Sequence, residues 1–119
     1  MNSDDYRPLG EAICAQIIAE IRKLGFAENR MPTFPDYAQV SFTTTKDPYS
    51  GQDSLIGTWR DSQGQRVGEL KFHGDGSFYA EYDVVRPHPT NHRWFVEAVV
   101  AWGRDDLVKT EAKLLPAIG

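Results

Sequence analysis

Between Leu9 and Leu24 the apolar residues Leu9, Ile13, Ile17, Ile18, Ile21 and Leu24 recur three and four positions apart, a spacing that places them on one stripe of an α-helix. Asp4 or Asp5 is positioned to cap its start, Pro8 suits the first turn, and Gly25 followed by Phe26 fits a left-handed C-terminal cap with its hydrophobic contact. From Ala27 to Asp36 the breakers Asn29, Pro32 and Pro35 mark a connector.

Beyond the connector the period changes to two. Tyr37–Thr45 (YAQVSFTTT) alternates and is rich in β-branched residues, which predicts a strand with Ala38, Val40, Phe42 and Thr44 on the core side and Tyr37, Gln39, Ser41 and Thr43 opposite. Lys46–Ser54 is a turn-rich linker; Leu55–Arg60 is a short strand anchored by Trp59, and Asp61–Gly64 a turn. Val67–Phe72 and Ser77–Val85 form a half-buried antiparallel hairpin: Leu70 and Phe72 oppose Glu69 and Lys71, while Phe78, Ala80, Tyr82 and Val84 oppose Tyr79, Glu81 and Asp83. Gly74 and Gly76 supply the positive φ angles of its turn, and Asp75 favours the same geometry. Pro87 and Pro89 make RPHPTNHR (86–93) a loop, and Trp94–Trp102 (WFVEAVVAW) is apolar on both faces except at Glu97, as in a strand covered on both sides.

The tail DDLVKTEAKLLPAIG reads two ways. Val108, Ala112 and Leu115 align on a helix; Val108, Thr110, Ala112 and Leu114 align on a strand. Its Ala, Glu, Lys and Leu content and a cap at Asp105 or Asp106 favour the helix. The expectation is one α+β domain over residues 1–119: an N-terminal helix packed on an antiparallel meander of about five strands, with a C-terminal helix.

Composition narrows the function. A chain of 119 residues is one domain long, with 25% charged and 12% aromatic residues. A net charge of −4 opposes non-specific attraction to nucleic acid or anionic membranes and favours a basic partner. No signal-peptide pattern precedes the helix and no apolar run approaches the ~20 residues of a membrane span, so a cytoplasmic location is expected. The single cysteine, Cys14, falls among Ile13, Ala15 and Ile17, where a buried small hydrophobe is expected rather than a reactive thiol.

Few residues carry chemistry. His73-Gly74-Asp75-Gly76 lacks the alternating oxygen ligands of a calcium loop, and the strand after it rules out a phosphate cradle on a helix N-terminus. His88 and His92 stand four apart, but Pro87 and Pro89 exclude the helix that would align them for zinc; no metal and no cofactor is called for. No nucleophile motif is present. The acids Glu69, Glu81, Asp83 and Glu97 alternate along strands and could share a sheet face, and Glu97, alone inside an apolar run, is the candidate for a perturbed acid. Tyr49, Tyr79, His88, His92 and Arg93 complete a candidate binding surface, since interface anchors are enriched in Tyr, Trp and Arg.

Leu70-x-Phe72-x-x-Asp75-Gly76-x-Phe78-x-x-x-Tyr82-Asp83 resembles the strand-turn-strand of small bacterial immunity proteins, especially the YezG-like antitoxin family, in which a helix also precedes the sheet. That resemblance implies a non-enzymatic protein that blocks a toxin by occluding its surface. Leu55-Ile56-Gly57-Thr58-Trp59-Arg60 resembles the Gly-x-Trp opening of lipocalin-like barrels, but the chain after it is too short for the ~8 strands that closure takes. The expected function is a small non-catalytic domain that binds another, basic protein through its polar sheet face and the loops Lys46–Ser54 and Arg86–Arg93. The alternative is a small-ligand-binding protein or minor enzyme with a pocket between helix and curved sheet and Glu97 as its polar group. A homodimer through WFVEAVVAW or an edge strand is compatible with either.

Overall fold

In the computed structural model, which describes residues 2–27 and 32–117, the apolar stripe forms helix α1 (Arg7–Lys23). Ile13, Ile17 and Ile21 are fully buried on its inner face, with Gly10 and Cys14 beside them. Each isoleucine withdrawn from water contributes roughly 1.5–3 kcal/mol. Docking of this face, more than intrinsic propensity, therefore keeps α1 helical. Pro8 lies in the first turn and Gly25, at φ 97°, takes the left-handed conformation that ends the helix. Asp4 and Asp5 do not cap α1. They fall in a 3-10 turn (Ser3–Tyr6), itself capped by the Asn2 side chain, that runs straight into the helix and leaves no free capping position. The break expected at Asn29 lies outside the described residues.

Six strands follow: β1 (Val40–Lys46), β2 (Asp53–Arg60), β3 (Arg66–His73), β4 (Ser77–Pro87), β5 (Trp94–Arg104) and β6 (Leu107–Pro116). They form one antiparallel sheet in chain order, each strand hydrogen-bonded to the next. The expected helix at the C-terminus is instead β6. The reason is tertiary: β5 presents a free row of backbone donors and acceptors, and pairing with them outweighs the helix propensity of Ala, Glu, Lys and Leu. Val108, Thr110 and Ala112 then alternate as half-buried positions.

The first strand also begins later than its alternation suggests. Tyr37–Gln39 form a 3-10 turn capped by Asp36, whose carboxylate accepts from the Ala38 N–H and whose carbonyl accepts from the Gln39 N–H, both at 3.0 Å. Tyr37, expected on the polar face, is thereby buried: its ring lies against Gly10 of α1, and its hydroxyl donates to the Ser3 carbonyl at 2.7 Å.

The core lies between α1 and one sheet face. Leu55, Trp59, Leu70, Phe72, Phe78, Ala80, Tyr82, Val84, Val96, Val99 and Ala101 are buried there, and the period-two assignments for β3 and β4 hold residue by residue. Trp59 donates its indole N–H to the Asp36 carbonyl at 3.1 Å and meets the Tyr82 ring edge-on, centroids 5.6 Å apart. The β3–β4 connection is a plain turn. Of its two glycines only Gly76 has positive φ, 90°, while Asp75 accepts from the Ser77 N–H and hydroxyl and so pins the turn. Tyr6 stacks on Phe72 and Gly25 lies beside Thr90, so α1 runs the length of the sheet and covers one face only. Among the described residues no helix is long and apolar enough to cross a membrane.

Candidate functional site

With α1 on one side, alternation sends the remaining side chains of β3 to β6 to the open side. Register decides which become neighbours. Lys71 lies opposite Tyr79, Tyr79 opposite Trp102 and Trp102 opposite Lys109, which makes one row across the sheet. In the next row Glu69 faces Glu81, Glu81 faces Val100 and Val100 faces Glu111. Beyond these, Asp83 pairs with Ala98 and Ala98 with Lys113.

Two carboxylates directly opposite each other repel, and here each draws cations from its neighbours. Glu69 is met by Arg66 at 3.1 Å and by Lys71 at 3.4 Å. Glu81 is met by Lys113 at 3.5 Å, and the same ammonium reaches Glu97 at 3.7 Å. Asp83 forms no salt bridge among the described residues. Its pKa is raised, first by burial and then by the charge of Glu81, with Arg66 opposing and Glu97 adding. Lys113 is correspondingly raised by Glu81 and Glu97. Glu81 and Glu97 thus share one lysine, and Asp83 lies close enough to feel their charge. Beside them Tyr79 is 41% exposed, its hydroxyl turned to Glu81, and Trp102 is half-buried.

Glu97 owes its place to a bulge. The β5–β6 register skips it between Val96 and Ala98, and the β4–β5 register shifts at the same point, where Val84 and Val85 oppose it. Its side chain is 39% exposed and sits in the lysine cluster, and neither of the two surface grooves described below includes it.

The sheet brings together Glu69, Tyr79, Glu81, Asp83 and Glu97. It does not bring the loops to them. Lys46 pairs with Asp53 at the end of the sheet that carries the β3–β4 turn, so Tyr49, 98% exposed, sits at that tip. His88, His92 and Arg93 lie at the opposite end, in the β4–β5 loop. There the His88 ring nitrogen accepts from the Thr90 and Asn91 N–H groups and holds the loop, while His92 and Arg93 are exposed. The remaining histidine, His73, shares a hydrogen bond with Ser54 at 2.8 Å. No three His, Cys, Asp or Glu residues among those described come together as metal ligands.

No family model, curated protein or solved structure matches this chain.

The described residues also form surface grooves. One, of about 480 Å³, separates Gly25–Ala27 from Arg86–Pro89; a smaller one, of about 240 Å³, runs between α1 and Pro35–Ala38 over Cys14. Cys14 is buried, and burial pushes its thiol up to about 12, which leaves it protonated and inert. The residue missed from sequence is Lys113. Helical periodicity assigned to the tail hid it, whereas the alternation of Val108, Thr110, Ala112 and Leu114 places Lys109, Glu111 and Lys113 on the open face.

Proposed function

We propose that this chain is a non-catalytic protein-binding domain that takes a basic segment of another protein on the open sheet face, as an immunity-type protein would to occlude its target. The observation that supports this reading is the pair Glu81 and Glu97 sharing the ammonium of Lys113, with Asp83 beside them and without a salt bridge among the described residues, flanked by Tyr79 and Trp102. Carboxylates that share too few cations repel one another in the free domain. An incoming guanidinium or ammonium relieves that repulsion and forms charge-assisted hydrogen bonds with the planar carboxylates. The Tyr79 and Trp102 rings offer the apolar area that carries binding energy where rim charges mainly steer.

A photo-reactive side chain placed at Tyr79 should crosslink a partner protein in the native host, and the crosslink should fade with added salt and with Glu81→Lys. The same probe at Gln16, exposed on α1, should give none. Recovery of the chain alone, or equal crosslinking from both positions, counts against the proposal.

A further inference from the structure

We propose that β6 is a pairing edge at which two copies of this chain join, antiparallel, into one continuous sheet. Among the described residues β6 pairs only with β5, so along its ten residues the other side carries backbone donors and acceptors unpaired by another strand. Natural sheets guard such an edge with lysines, whose charge rejects a second strand. Here that guard is displaced. Lys113 is drawn over its own sheet by Glu81 and Glu97, while Lys109 and Glu111, exposed two positions apart on the same side of the strand, have no ion pair among the described residues.

This pattern is self-complementary. With a two-fold axis through Thr110, Lys109 of one copy lies opposite Glu111 of the other, and Glu111 opposite Lys109. Thr110 meets Thr110, a favourable cross-strand pair, and Val108 meets Ala112, half-buried in both copies. Leu107, 71% exposed, gains the aliphatic stem of Lys113 as a neighbour. The other edge has no such code, because β1 carries Lys46 as its only charge. The axis stands perpendicular to the sheet, so both open faces point the same way and the dimer presents two acidic centres on one side. Dimerisation does not depend on what those faces bind.

Sedimentation velocity across the micromolar range tests the pairing. The parent chain should show a monomer–dimer equilibrium. Lys109→Glu and Glu111→Lys should each raise the dimer dissociation constant by roughly tenfold or more, because each creates two like-charge pairs. The double variant Lys109→Glu/Glu111→Lys should restore it. All three variants, changed only at exposed positions, should leave the far-UV circular dichroism unchanged. A parent chain that stays monomeric up to its solubility limit, or a dimer indifferent to both single variants, overturns the proposal.

Discussion

Gly10→Ala should destabilise this domain, although glycine inside a helix ordinarily costs about 1 kcal/mol relative to alanine. The reason is the Tyr37 ring. A Cβ at Gly10 would overlap it, and the ring cannot easily retreat, being 5% exposed and tied through its hydroxyl to the Ser3 carbonyl at 2.7 Å. Overpacking of this kind costs about 1–3 kcal/mol, and a hydrogen bond broken by the displaced ring adds about 1 kcal/mol. Set against the propensity gain, the expected net loss is about 2 kcal/mol, or a fall of roughly 5–10 °C in melting temperature for a domain of this size. Urea unfolding followed by circular dichroism measures it directly, with an unchanged m-value as the check on two-state behaviour. The same substitution in a Tyr37→Ala background should change sign and stabilise by up to about 1 kcal/mol, since the obstacle is gone. Neutral or increased stability from Gly10→Ala alone would refute the packing of Tyr37 beneath α1.

Asp83 titrates with a raised pKa, so the folded protein holds this proton more tightly than the unfolded chain. Its contribution to stability falls as pH rises from the ordinary carboxylate range through the raised value. Asp83→Asn should therefore stabilise at neutral pH, with the gain vanishing below the ordinary carboxylate range in melts recorded across that span. Asp75, lowered by its hydrogen bonds from Ser77, has the opposite sign: its contribution is present above the ordinary range and lost as pH falls through the depressed value, so Asp75→Asn should destabilise at neutral pH. Cys14 should stay unmodified by iodoacetamide in the folded chain and react once urea unfolds it; modification of the native protein at the rate of a free thiol would contradict its burial. Val85, exposed and β-branched yet at φ 51°, holds the bulge opposite Glu97 at a conformational cost. Val85→Gly should raise stability by about 1 kcal/mol in the same urea assay, and a loss would mean that the side chain contributes more than the strain it causes.

Helix α1, five of the six strand positions and the division of β3 and β4 into inner and outer faces are legible along the chain, because each follows from a local period that needs only one apolar partner surface. Leu70, Phe72, Phe78 and Tyr82 have nowhere to go but inward once that surface exists. The acids Glu69, Glu81 and Asp83 consequently fall outward, and half of the candidate site is readable before any coordinates are known.

The other half depends on contacts between distant segments. The tail carries helix-favouring residues, yet the open edge of β5 offers ten positions of backbone pairing that no local preference reveals, and this edge delivers Lys113 to Glu81 and Glu97. The bulge that turns Glu97 outward exists only as a mismatch between β5 and both its neighbours. Tyr37 is inside because α1 keeps a glycine where its ring lies. Local pattern assigns a residue to a face; only register and packing decide which charges meet there, because Coulomb attraction and steric overlap depend on distances between chain segments far apart in sequence.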